Sequence, residues 1–267
     1  MPLARVGEIE LSYERAGLGP PLLMIMGMSG TFDHWSAAFL AELRADFETI
    51  VYDHRGVGDS SRLVGAITIA QLAEDAAGLL TALELDSAHV LGISMGGMVA
   101  QELALNHPER IRALALGCTY CGGEGSSLTS EEVMRRLAEG MASGERERAI
   151  RTGWEVNVSP EFAADEQAYA RFLEIGLRRA VPVEVIMQQM RAITEHDTSA
   201  RLPEIALPTL VIHGTLDQML PVQNGRMIAG LIPDSHLEIF EGVGHLFFWE
   251  RPERSAELVR AHAAVHA

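Results

Sequence analysis

The stretch HVLGISMGG, which runs from His89 to Gly97, decides the fold of this 267-residue chain. Its first five residues form an apolar run typical of a buried strand, and a helical pattern follows up to Asn106. Between the two, Gly92, Ser94 and Gly96 fit the G-x-S-x-G pattern, in which a serine lies on a sharp strand-to-helix turn. Glycines flank the serine because so tight a turn leaves no room for side chains. The stretch therefore predicts a nucleophilic serine, Ser94, at the carboxyl end of a strand.

A serine hydroxyl is a weak nucleophile and needs a base, which in turn needs an acid to orient it. Downstream of Ser94, the segment LVIHGTLD leads from a buried strand into a loop that ends at Asp217. Further on, FEGVGH leads from another strand into a glycine-rich loop that ends at His245. All three residues follow the carboxyl ends of strands, in the chain order serine, acid, histidine. We predict that Ser94, Asp217 and His245 form a catalytic triad.

The rest of the chain predicts an α/β fold with a doubly wound, mostly parallel sheet, because apolar runs alternate with helical patterns. The predicted strands are 8–14, 22–26, 49–52, 89–93, 111–116, 209–213 and 237–240, and the predicted helices are 68–85, 95–106, 222–230 and a closing helix from 252 to the C-terminus. The interval 120–203 contains only amphipathic helical patterns, which predict a helical cap, or lid, between two strands of the sheet. The predicted domains are a core of 1–119 with 204–267 and a cap of 120–203.

The amino-acid composition excludes several classes of function. The 37 acidic residues outnumber the 21 basic residues, for a net charge of −16, and none of the basic residues is lysine. An acidic surface repels phosphate backbones and anionic lipids, so we expect no nucleic-acid or membrane partner. The absence of lysine excludes Schiff-base chemistry and Walker-type phosphate binding. We interpret Cys118 and Cys121 as structural, and the lack of a signal segment leads us to expect a cytoplasmic protein.

The triad motifs resemble those of the α/β-hydrolase fold superfamily, in its branch of serine esterases, lactonases and cofactor-free haloperoxidases. Two further motifs strengthen the resemblance: DHRGVGDS at 53–60, which is similar to the family's D-x-R-G-x-G-x-S loop, and HPER at 107–110. We expect both to be structural. The resemblance implies an eight-stranded sheet with the cap between the sixth and seventh strands. It also implies that the reaction uses no metal and no cofactor.

The chain departs from the family at the turn after the third strand, where Met26-Gly27 replaces the usual His-Gly. The resemblance implies that the oxyanion is held by two backbone N–H groups, those of Met28 and Met95. Because both donors are amides, loss of the imidazole removes neither. The predicted substrate pocket includes Trp35, Tyr120, Trp154 and Phe247. The remaining histidines, His213 and His54 among them, are interpreted as surface or packing residues.

The predicted function is hydrolysis of a carboxylic ester, lactones included, of a small and largely apolar substrate through an acyl-enzyme on Ser94. A cofactor-free haloperoxidase or perhydrolase and a carbon–carbon bond hydrolase remain alternatives, because members of the family use the same triad for these reactions. A ligand receptor of the same fold with very slow turnover is an alternative of another class. The natural substrate and a homo-oligomeric state are left open by the sequence.

Overall fold

A single eight-stranded sheet organises the computed structural model, which describes residues 1–265. The strands are β1 (Leu3–Val6), β2 (Ile9–Ala16), β3 (Pro21–Ile25), β4 (Glu48–Tyr52), β5 (Ala88–Ile93), β6 (Ile111–Gly117), β7 (Thr209–Gly214) and β8 (Ser235–Phe240). Their order across the sheet is β1-β2-β4-β3-β5-β6-β7-β8. The β1–β2 and β2–β4 pairs are antiparallel, and every other neighbouring pair is parallel. The predicted mostly parallel sheet is confirmed.

The described helices are α1 (Ala37–Arg44), α2 (Ile69–Ala82), α3 (Met95–Asn106), α4 (Glu131–Ala142), α5 (Arg146–Asn157), α6 (Pro160–Ala163), α7 (Glu166–Arg178), α8 (Val183–Glu195), α9 (Gln223–Leu231), α10 (Phe247–Glu250) and α11 (Pro252–Val265). Among residues 1–265, no helix is both long enough and apolar enough to cross a bilayer.

The sheet is covered on both faces, as alternate residues of β3 show. Leu23 and Ile25 belong to a hydrophobic cluster that includes side chains of α2 and α3. Leu22 and Met24 belong to a second cluster that includes side chains of α1 and α11. Successive side chains of a strand point to opposite faces, so helices lie on both sides of the sheet. This burial on two faces explains why the central strands read as continuous apolar runs.

Residues 118–208, between β6 and β7, contain helices and no strand, as the amphipathic patterns predicted. Aromatic rings are among the contacts that join the inserted helices α4 to α8 to the rest of the molecule. Trp154 of α5 and Phe172 of α7 both pack edge-on against Trp249 of α10, at ring distances of 5.8 and 5.7 Å. Their action as a lid, and the division into two domains, stay predictions.

Two elements near the N-terminus, β1 and α1, were not located from the sequence. β1 is an edge strand of four residues, of which Ala4 alone is buried, so it carries little hydrophobic pattern. α1 is an eight-residue helix that buries only Phe39 and Leu43. The last two residues of the predicted closing helix, 266 and 267, lie outside the described residues.

Candidate active site

Ser94 lies at the sharp turn that joins β5 to α3. Its backbone has φ 53° and ψ −125°, a conformation that non-glycine residues rarely adopt. A Cβ on Gly92 would lie 2.2 Å from the Gly96 carbonyl oxygen, and a Cβ on Gly96 would lie 2.1 Å from the Ile25 carbonyl oxygen. Such distances are far inside van der Waals contact, so the turn requires glycine at both positions. The predicted strand-turn-helix context of Ser94 is thus present.

The turn after β3 passes beside the Ser94 hydroxyl. A Cβ on Gly27 would lie 3.5 Å from the Ser94 Oγ, which puts the Gly27 backbone against the serine. The residue after Gly27 is Met28, whose N–H was predicted to hold the oxyanion. Met95, which was predicted to supply the second N–H, is the first residue of α3, where N–H groups have no partner within the helix. Both predicted donors therefore lie on the segments that border Ser94.

Three hydrogen-bonding contacts hold the turn after β3. His54 Nε2 lies 3.0 Å from the Met26 carbonyl oxygen, and Asp53 Oδ1 accepts the Phe32 N–H at 2.8 Å. In the third, the Ser29 N–H donates to the side-chain oxygen of Gln189 at 2.8 Å. Gln189 belongs to the inserted helix α8. Asp53 and His54 belong to the motif that was expected to be structural.

Arg55 of the same motif forms an ion pair with Asp75 of α2. Burial raises the pKa of the neighbouring Asp53 to about 6.

Asp217 and His245 form a buried, hydrogen-bonded pair. Asp217 Oδ2 lies 2.7 Å from His245 Nδ1, and Asp217 Oδ1 accepts the N–H groups of Met219 and Leu220 at 2.8 and 2.9 Å. Burial by itself raises the pKa of Asp217, but the imidazoles of His245 and His213 outweigh it, and the pKa lies below its usual range. Asp217 is therefore a carboxylate at neutral pH, and His245 Nδ1 carries the proton that bonds to it.

His213, interpreted from the sequence as a surface or packing residue, is a buried residue that also contacts the acid. Its side chain is fully buried at the end of β7, and its Nε2 lies 3.1 Å from Asp217 Oδ2, the oxygen that also binds His245. The same Nε2 lies 2.7 Å from the Leu220 carbonyl oxygen. The spacing His213-x-x-x-Asp217 gives little signal for this contact, because an i,i+4 contact is expected in a helix and not in a strand-to-loop segment.

Glu250 links the loop of His245 to the inserted helices by hydrogen bonds. No role was predicted for this residue from the sequence. The buried Glu250 carboxylate accepts the Gly244 N–H at 2.7 Å and the Ser159 N–H at 3.0 Å, both at Oε1, and the Ser159 hydroxyl at 2.5 Å. A Cβ on Gly244 would lie 2.7 Å from the backbone of Val158, so the two backbones are in direct contact. The catalytic histidine candidate thus rests on both parts of the molecule.

The predicted pocket residues are closely packed. Trp35 packs against Phe248 with the ring centroids 4.9 Å apart and the ring planes tilted by 53°, and Phe247 packs against the Gly117 backbone. Trp154 lies among the rings that join α5 and α7 to α10, and Tyr120 is 8% exposed. Phe247 and Trp154 have no exposed surface. Any contact of these four residues with a substrate stays a prediction.

Cys118 lies beside the acid–histidine pair. Its Sγ and one ligand atom each of Asp217 and His245 lie within 4.8 Å of one another. These are metal-ligand types, but His245 Nδ1 and Asp217 Oδ2 already share a proton. Burial also raises the pKa of the Cys118 thiol well above its usual value. Burial raises the pKa of Cys121 to about 12, and both cysteines are free and buried, in keeping with structural thiols.

Comparison with known proteins agrees with this geometry. The family model for the α/β hydrolase fold matches residues 20–252. RutD of Azorhizobium caulinodans, a proposed carbamate hydrolase, is 30% identical over 97% of each chain. 3-oxoadipate enol-lactonase 2 of Acinetobacter baylyi is 29% identical over 95% of this chain and 93% of its own. The thermophilic esterase of Thermogutta terrifontis superposes with a TM-score of 0.83 at 27% identity, over 99% and 98% of the two chains. The chain belongs to the α/β-hydrolase fold family.

Proposed function

We propose that the protein is a serine hydrolase that cleaves carboxylic esters, lactones included, through an acyl-enzyme on Ser94. The observation that carries the proposal is the strained turn of Ser94 on the same sheet edge as the buried Asp217–His245 pair. A strained conformation at a non-glycine residue is retained where function requires it. The enzyme relatives of the chain, which include a lactonase and an esterase, support the substrate class.

The hydrogen bond between His245 and Asp217 assigns the roles. Because Nδ1 of His245 donates its proton to Asp217, the neutral ring leaves Nε2 free to accept the proton of the Ser94 hydroxyl. Ser94 attacks the carbonyl, and the N–H groups of Met28 and Met95 hold the oxyanion. His245 returns the proton to the leaving alcohol, and then activates the water that releases the acyl group. Asp217 holds the ring and stabilises the imidazolium.

Carbamate hydrolysis is the second candidate, because RutD, a proposed carbamate hydrolase, matches nearly the whole chain. The chemistry is the same acyl transfer, so the triad does not distinguish the two. A carbamate carbonyl is less electrophilic than an ester carbonyl, because its nitrogen donates electron density to it. The pocket that would select between them stays a prediction.

The deciding experiment compares wild type with Ser94→Ala on p-nitrophenyl esters of graded acyl length and on a p-nitrophenyl carbamate. Ser87→Ala is the matched control, because Ser87 precedes the opposite end of β5. We expect loss of the nucleophile to lower kcat by at least about 10⁴-fold, and the control to keep wild-type turnover. A fluorophosphonate should label Ser94 in wild type. Near wild-type turnover in Ser94→Ala would exclude the proposed mechanism.

The ratio of ester to carbamate turnover chooses between the two candidate substrates. The acyl length at which kcat/KM is highest indicates the size of the acyl-binding pocket. Labelling of Ser94 without hydrolysis of any tested compound would show an intact triad with another reaction. In that case the carbon–carbon hydrolase and receptor alternatives become the leading hypotheses. We propose that the partner of the protein is a small molecule that carries the scissile carbonyl. We also propose that the protein acts in the cytoplasm.

A further inference from the structure

We propose that His213 is a positioning residue for the catalytic acid: a buried imidazole that shares the Asp217 oxygen bound by His245 and so limits how strongly Asp217 binds the catalytic ring. This inference rests on the proposed function, because it concerns the same triad. It adds one fully buried side chain to the surroundings of the acid.

Two distances define the contact. His213 Nε2 lies 3.1 Å from Asp217 Oδ2 and 2.7 Å from the Leu220 carbonyl oxygen. Asp217 Oδ2 also lies 2.7 Å from His245 Nδ1, so this one oxygen lies within hydrogen-bonding distance of two imidazoles. The other oxygen, Oδ1, is occupied by the N–H groups of Met219 and Leu220. The carboxylate is thus held on both oxygens, and His213 closes the turn from Asp217 to Leu220.

The surroundings of the ring show which nitrogen donates. A carbonyl oxygen and a carboxylate can only accept hydrogen bonds, so Nε2 must carry a proton. Nδ1 is buried and has no hydrogen-bond partner among the described residues. It faces the backbone of α9, where a Cβ on Gly225 would lie 2.6 Å away.

Sharing one oxygen weakens each of its hydrogen bonds. While His213 donates to Asp217 Oδ2, less electron density is available to the ring of His245, whose imidazolium form the carboxylate stabilises. Removal of the His213 donor should therefore strengthen the attraction between Asp217 and His245. The base would then stay protonated up to a higher pH. Two other titratable groups lie near the acid, the thiol of Cys118 and the Glu250 carboxylate, and neither is changed in the variants below.

The test is the pH dependence of kcat/KM for p-nitrophenyl ester hydrolysis in wild type, His213→Leu and His213→Gln. Leucine fills the site and cannot donate, whereas glutamine can place an amide N–H near the position of Nε2. We expect His213→Leu to move the acidic limb about half a pH unit upward, with little change in KM. His213→Gln should restore the wild-type limb. His89→Leu, which removes a buried imidazole from β5, is the control and should leave the limb unmoved.

Thermal unfolding establishes that each variant is folded in the assay. If His213→Leu does not fold, His213→Asn replaces it, because its shorter amide does not reach Asp217. The inference is overturned if the folded variant keeps the wild-type limb, if the limb moves to lower pH, or if glutamine behaves as leucine does. Ser94→Ala is assayed alongside. Near wild-type turnover there would refute the proposed function, whereas an unmoved limb in His213→Leu of a Ser94-dependent enzyme would refute only this inference.

Discussion

Removal of the Glu250 carboxylate should have two effects: it should leave the loop of His245 less firmly held, and it should lower the stability of the fold. In Glu250→Ala, two buried N–H groups, those of Gly244 and Ser159, and the Ser159 hydroxyl lose their acceptor. A buried donor without a partner costs about 1–3 kcal/mol, so we expect the free energy of unfolding to fall by about 3–5 kcal/mol. Because Gly244 directly precedes His245, kcat should fall as well.

Glu250→Gln separates charge from geometry. Both N–H groups bond to Oε1, and a glutamine oxygen can keep those two bonds while the hydroxyl of Ser159 turns to accept from the amide. We expect a loss of about 1–2 kcal/mol, because only the charge-assisted part of the bonds disappears. Glu257→Ala is the matched control, since Glu257 is an exposed glutamate of α11 paired with Arg254. Its unfolding midpoint should equal that of wild type.

The assay is urea unfolding followed by circular dichroism, with kcat measured on the same preparations. Equal slopes of the unfolding curves would show that the variants differ in stability rather than in the unfolded state. A loss below about 1 kcal/mol in Glu250→Ala, with normal kcat, would refute the reasoning, because it would mean that water or another group replaces the carboxylate.

Two further predictions test burial and backbone packing. Burial lowers the pKa of His196 to about 4, so the unfolded chain binds the additional proton between pH 6.5 and 4. The free energy of unfolding should fall by about 3 kcal/mol as the pH drops through that window, and in His196→Asn it should depend less on pH. The same pH dependence of the unfolding free energy in wild type and variant, measured by denaturant titration at each pH, would contradict this. Gly96→Ala should lose about 3 kcal/mol or more, because its Cβ would lie 2.1 Å from the Ile25 carbonyl oxygen. The control Gly153→Ala, which meets open space in α5, should gain up to about 1 kcal/mol, and equal melting temperatures for the two variants would contradict the steric account.

Strong local patterns made most of the fold predictable. The helix Met95–Asn106 has the predicted bounds, and β7 and β8 begin or end within two residues of their predicted limits. These elements are buried on one or two faces, so their periodicity is written into the residues themselves. β1 and α1 escaped prediction because each buries few side chains and depends on the neighbour that it pairs with or packs against.

Of the candidate site, the residues that follow strand ends could be predicted, because parallel strands bring their carboxyl ends to one edge. The predicted pairing of Asp217 with His245 is present in the structure at 2.7 Å. The partners of these residues could not be predicted. Glu250 bonds to Ser159, 91 residues away, and Gln189 bonds to Ser29, 160 residues away.

The sequence by itself determined the class of the fold, the position of the turn at Ser94 and the chain order of the acid and the histidine. Each of these is set by local backbone geometry and by the period of the apolar residues. Only the tertiary structure decided what surrounds the site: that Asp217 lies against His213 as well as His245, and that the inserted helices hold the loop of His245 through Glu250. A buried polar group must find a partner, but folding alone determines which distant group it meets.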